Sequence, residues 1–225
     1  TTGARNTAVG HQALDSNTTA ANNTGVGYAS LTANTTGADN VAVGSEALDA
    51  NTTAAGGTAI GRLSLSTNTT GAGNTAVGMS ALRLNTTGAQ NVAMGLSALE
   101  ANTTAANNTA LGFNSMGANT TGDRNVAVGS LALDANTTAS NNTAVGYNSL
   151  GLNTTGTRNT ALGTLTLDAQ TTANDNTAIG STALGSNTSG TENVAVGSTS
   201  LTSNTTGNSN TALGMKALEA NTTAA

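Results

Sequence analysis

The sequence predicts an all-β fold: a β-solenoid (parallel β-roll or β-helix) of thirteen coils, with one coil per 17-residue repeat. Three observations point there. A 17-residue repeat starts at Asn6 and recurs at 23, 40, 57, 74, 91, 108, 125, 142, 159, 176, 193 and 210 without insertion or deletion. Each repeat reliably carries only two large apolar residues, at its fourth and ninth positions, such as Val9 and Leu14. The 225 residues include no Pro, Cys or Trp, one Phe and two Tyr. A core without large aromatic units must be thin.

The consensus is N-T/V-A-V-G-x-x-A/S-L-x-x-N-T-T-G/A-x-x, and its positions are numbered here as columns one to seventeen. A lone 17-residue piece with two apolar side chains cannot offset the entropy of ordering its backbone. Stacked in register, like residue lies over like and a continuous core results. The expected core is therefore the aliphatic column four with the Leu of column nine. Asn in columns one and twelve can form amide ladders along the stack. Gly fills column five in every repeat, as suits a corner with positive φ or one crowded by the neighbouring backbone. Thr in columns thirteen and fourteen favours strands and satisfies nearby backbone groups through its hydroxyl. Residues 1–225 read as one repeat array, expected to be a fragment of a longer chain.

Other architectures fit less well. Val9, Ala13 and Leu14 have helical spacing, but Gly10 and Asn17-Thr-Thr leave room for little more than a turn. Disorder is at odds with strict phasing of the apolar columns. A second pattern overlies the first. Six repeats carry Asp or Glu at column ten (Asp15, Asp49, Glu100, Asp134, Asp168, Glu219), and the same six carry Ala rather than Gly at column fifteen. Their order with the others is ABABBABABABBA, and two acidic repeats are never adjacent. Carboxylates about 4.8 Å apart on neighbouring strands would repel, so alternation separates them. These acids are expected on a solvated outer face, and Glu100 follows Arg83 of the preceding repeat.

Chemistry is sparse. Six basic against 11 acidic residues give a net charge of −5, with no basic stripe or aromatic platform for nucleic acid. No apolar run reaches the roughly 18 residues of a membrane span. Without Cys there is neither a disulfide framework nor a Cys-based metal site. His11 is the only candidate histidine base and reads as a coil corner. Gly73 to Gly78 has phosphate-loop spacing but lacks the following Lys-Ser/Thr, so it too reads as a corner. The column-ten acids are set apart rather than clustered as calcium would require. No catalytic residue, cofactor or metal ligand is assigned.

Two surface features stand out. Asn-Thr-Thr or Asn-Thr-Ser makes a glycosylation sequon at Asn17, Asn34, Asn51, Asn68, Asn85, Asn102, Asn119, Asn136, Asn153, Asn187, Asn204 and Asn221, with only Gln170 breaking the series. Further sequons begin at Asn22, Asn107 and Asn141. The threonine ranks suggest ice-binding solenoids, but adjacent Thr in columns thirteen and fourteen would face opposite ways and form no T-x-T rank.

The stretch N-x-A-V/I-G-x-x-A resembles the head repeats of YadA-like trimeric autotransporter adhesins. The longer form, as in Asn142-Thr-Ala-Val-Gly-Tyr-Asn-Ser-Leu and Asn153-Thr-Thr-Gly, is similar to repeats of phage tail fibres and bacterial surface fibres. The autotransporter repeat is usually shorter than this one. The resemblance implies a non-enzymatic extracellular shaft, on a cell or virion surface, that forms a stiff rod for display or attachment. It also implies self-association as a homotrimer or filament, with cell-surface glycans or a host receptor as partners. The competing readings are a glycosylated filament of a microbial matrix and, third, an ice-binding solenoid.

Overall fold

The computed structural model describes residues 2–224 and is all-β, with thirteen short parallel strands and no helix among those residues. The strands are β1 (Thr7–Val9), β2 (Thr24–Val26), β3 (Val41–Val43), β4 (Thr58–Ile60), β5 (Thr75–Val77), β6 (Val92–Met94), β7 (Thr109–Leu111), β8 (Val126–Val128), β9 (Thr143–Val145), β10 (Thr160–Leu162), β11 (Thr177–Ile179), β12 (Val194–Val196) and β13 (Thr211–Leu213). Each occupies columns two to four of its repeat. The chain divides into two compact units, Thr1–Ala110 and Leu111–Ala225.

In the first unit β1 to β6 pair in chain order, and in the second β8 to β13 do the same. Every pairing is parallel and shifted by one repeat, for example Val77 opposite Met94. One repeat is therefore one coil, and a 34-residue turn is excluded. Backbone bonds outside the strands keep the same step: Leu82 N donates to Ala98 O (3.0 Å) and Leu84 N to Glu100 O (3.0 Å).

The core differs from the sequence expectation at column four. Side chains alternate along a strand, and the middle residue faces inward. Column-three alanines such as Ala42, Ala93 and Ala144 are fully buried, while Val43, Ile60, Met94 and Leu162 of column four are exposed. The coil is too narrow for a larger inward residue. At Gly25, the one non-alanine of column three in the first unit, an added Cβ would already lie 3.3 Å from Leu14 Cγ. The Leu of column nine fills the rest of the interior, and Leu31, Leu82, Leu99, Leu133 and Leu184 have no exposed surface.

That leucine has left-handed backbone in every repeat, with φ between 49° and 55°. Left-handed geometry costs an L-residue roughly 1–2 kcal/mol and is worst for β-branched side chains. Column nine holds Leu or Met and never Val, Ile or Thr, whereas strand columns two and four hold all three and the left-handed column seven admits Thr182 and Thr199. Columns seven and seventeen are left-handed as well, as at Asn114 (φ 51) and Asn107 (φ 61). The coil thus turns through a sequence of positive-φ residues around a three-residue strand.

Buried amides close the coil. Asn34 Nδ2 donates to Asn17 Oδ1 of the preceding coil (3.0 Å) and to Gly37 O of its own (2.9 Å). Asn23 Nδ2 donates to the same Gly37 carbonyl (2.8 Å), and its Oδ1 accepts from Asn40 N (2.9 Å). The expected ladders of columns one and twelve therefore exist, and they converge on the column-fifteen carbonyl. Column eight is Ala or Ser in most repeats and is buried along most of the stack; Ser30, Ser64, Ser115 and Ser200 there donate to the column-five carbonyl, as Ser64 does to Gly61 O (2.8 Å), while Ser149 donates to Ala161 O (3.2 Å).

Gln170 interrupts the column-twelve ladder. Its amide reaches Ala173 O (3.0 Å), and its Oε1 accepts from Asn176 (3.0 Å) and Asn187 (3.3 Å). The buried Asn153 Oδ1 below it is left without a partner. A buried unpaired acceptor costs about 1–3 kcal/mol. Gln170→Asn is therefore expected to raise stability by about 1 kcal/mol, read as a higher midpoint in urea denaturation.

Candidate functional site

The described residues contain no cavity and no group of three or more His, Asp or Glu side chains placed to share a metal ion. Functional chemistry has to be sought on the outer files of side chains that the coils generate.

Column twelve, the sequon column, faces inward. Asn34, Asn51, Asn85, Asn136 and Asn204 have no exposed surface; only Asn221, in the last coil, is half-buried. The amide nitrogen that would carry a sugar already makes two hydrogen bonds, as Asn85 Nδ2 does to Asn68 Oδ1 (2.8 Å) and Gly88 O (2.9 Å). A glycan on an interior column-twelve Asn would have to displace these hydrogen bonds and open the stack there. The following Thr of column thirteen serves the backbone: Thr35 Oγ1 donates to Thr52 O (3.0 Å). No strand forms at columns thirteen and fourteen.

Three of the column-ten acids sit deeper than a solvated face, while Asp15 in the first coil is exposed. Asp49, Asp134 and Asp168 are half-buried, and burial pushes each carboxyl above its ordinary value. Asn114 Nδ2 donates to Asp134 Oδ1, opposing that shift, while the buried Asp49 Oδ1 has no partner. Since the folded pKa lies above the unfolded one, the fold favours the protonated acid, and stability from these groups is lost as pH rises through the folded pKa. Space explains the alternation as well as charge. Asp134 and Asp168 are flanked in column ten by Gly117, Gly151 and Gly185, and Asp49 by Thr32 and Ser66. Arg83 and Glu100 of neighbouring coils form an ion pair (2.8 Å).

Column seventeen carries an exposed polar file. Arg5 Nε donates to Asn22 Oδ1 (2.7 Å), and Asn22 Nδ2 to Asp39 Oδ1 (2.9 Å). In the second unit Arg158 makes a two-pronged pair with Asp175 (2.6 and 2.8 Å), which holds the Asp175 carboxyl below its usual range. Exposed pairs of this kind add little stability.

Columns two, four and six line the outside of the sheet and the corner after it. Column four is an unbroken aliphatic file, with Ile60 and Met94 above 40 % exposed in the first unit and Leu162 at 45 % in the second. Column six holds His11, which is exposed and stacks on Tyr28 at 5.8 Å between ring centres. The sequence signal for this outer surface was strand alternation, which places columns two and four on the same side once column three is inside. No protein-family model matches the chain, and neither a curated protein nor a solved structure does.

Proposed function

We propose that this chain is a non-enzymatic structural segment, the shaft of an extracellular fibre or adhesin on a cell or virion surface, acting as a stiff rod for display or attachment. The observation that carries the reading is the pair of buried ladders, Asn and Leu, that tie each coil to the next. All demanding chemistry of the repeat is spent inside, on coil-to-coil cohesion. Columns six and seventeen, which are mostly exposed, and the half-buried column seven vary freely among residue types.

The outward aliphatic file supports self-association. Contiguous exposed apolar surface marks interaction sites, and a slim solenoid gains by burying a second face. Side-by-side assembly, a homotrimer foremost, is the state this reading predicts. Sedimentation velocity at micromolar concentration tests it: a stable trimer or larger filament is expected, dissociating to folded monomer when Val128 and Leu162 are replaced by Asp. A folded monomer formed by the unaltered chain would count against the assembled shaft.

A further inference from the structure

The chain has three aromatic side chains, Tyr28, Phe113 and Tyr147, and all of them lie in column six. Each is 52 % exposed, so none serves the core. In the second unit column six runs Phe113, Ser130, Tyr147, Thr164, Ser181, Ser198 and Met215, with no charge along it. The stacking of this file is direct. Leu131 N donates to Phe113 O, Asn148 N to Ser130 O and Leu165 N to Tyr147 O, each at 3.0 Å. Phe113 and Tyr147 are therefore two coils apart, about 10 Å along the stack, with only Ser130 between them. Each ring is followed by an asparagine with φ 51, Asn114 and Asn148.

We propose that this file binds a neutral, extended β-1,4-linked glycan laid along the stack, with Phe113 and Tyr147 packing under alternate sugar rings. The inference rests on the display reading above and names what is bound. In such a chain successive pyranoses are turned over, so every second sugar presents the same face, and that two-sugar repeat is close to the ring separation here. The C–H groups on one face of a pyranose carry slight positive charge and pack on the negative face of an aromatic ring. The sugar between the platforms lies over Ser130, whose small side chain leaves room. An uncharged file suits an uncharged polymer.

Calorimetry of the full chain with cellohexaose and with chitohexaose tests this. Binding of at least one is expected, weakened about tenfold by Phe113→Ala or by Tyr147→Ala and abolished by both together. These residues are exposed, so circular dichroism should be unchanged. A variant carrying Ser130→Tyr with Tyr147→Ser keeps two rings but places them one coil apart; it is expected to bind as poorly as the double alanine variant. The proposal is overturned if neither hexaose binds, if the double alanine variant binds normally, or if that variant instead loses self-association in sedimentation, which would make column six a contact with a second copy. Failure to bind glycan by a chain that still assembles would remove this inference and leave the shaft reading standing.

Discussion

Asn85→Asp should lower the melting temperature by about 10 °C, although it exchanges one NH2 for one oxygen. Asn85 has no exposed surface, donates to Asn68 Oδ1 and Gly88 O, and accepts from Asn102 Nδ2 (2.8 Å). A carboxylate there keeps the last bond and turns the first two into contacts between acceptors. Breaking a buried polar set and leaving an uncompensated charge costs roughly 3–5 kcal/mol, and a chain of this size loses about 2–4 °C per kcal/mol. The new carboxyl has a folded pKa raised by burial and by the two facing oxygens. The loss should therefore be full at neutral pH and shrink as pH falls through that raised value, where the acid regains a donor. Asn107→Asp is the control: column seventeen is exposed and already holds Asp39 and Asp175. A melting temperature for Asn85→Asp within 2 °C of the unaltered chain would show that the amide ladder contributes little.

Gly78→Ala is the second large effect. Gly78 has φ 135, and an added Cβ would sit 2.4 Å from Gly95 O and 2.7 Å from Gly95 C. Both are backbone atoms of the next coil, so no side chain can swing away. Strained backbone costs about 1–3 kcal/mol and overpacking about 1–3 kcal/mol, and here both apply. Hydrogen exchange should show the coils around Gly78 and Gly95 losing protection while distant coils of the same unit keep theirs, since repeats contact only their neighbours. Gly56→Asn separates a special site from glycine in general. Gly56 has φ 68 with nothing within 4 Å of its added Cβ, and Asn22 and Asn107 occupy that column at φ 61. Its replacement should change stability by no more than about 0.5 kcal/mol. Equal effects at the two glycines would contradict the coil-to-coil clash.

Much of this architecture was legible in the sequence because every coil must satisfy the same neighbours. The 17-residue phase identified the coil, the unvarying glycine identified the crowded corner, and the amide columns identified the ladders. Column four was misplaced because an aliphatic file reads equally well as core or as an outward stripe. The deciding fact is the coil's width, which only alanine reveals. Column nine excludes the β-branched residues that columns two and four use freely, but the left-handed column seven admits Thr, so that exclusion alone did not reveal the leucine backbone. Gln170 held a clue for the sequons. It keeps the amide and destroys the sequon, which is what a column selected for hydrogen bonding would tolerate. The depth of the column-ten acids was not legible, since Asp beside Gly or Ser in the next coil reads equally well as a surface turn.

The one-coil step makes repeats interchangeable parts. Because each coil presents to its neighbour the same ladder it receives, removal of 17 residues returns a chain whose remaining contacts are of the kinds already present. Length is therefore a free variable of this fold, adjustable in increments of about 4.8 Å. The acids restrict where the cut can fall. Loss of the repeat at 57, 74, 176 or 193 leaves every column-ten carboxylate with a small or basic neighbour on each side; loss of the one at 23, 108 or 142 brings two acidic coils together. Loss of an acidic repeat also leaves no two acids adjacent, so variation in copy number is steered away only from the lone repeats at 23, 108 and 142 that separate acidic coils.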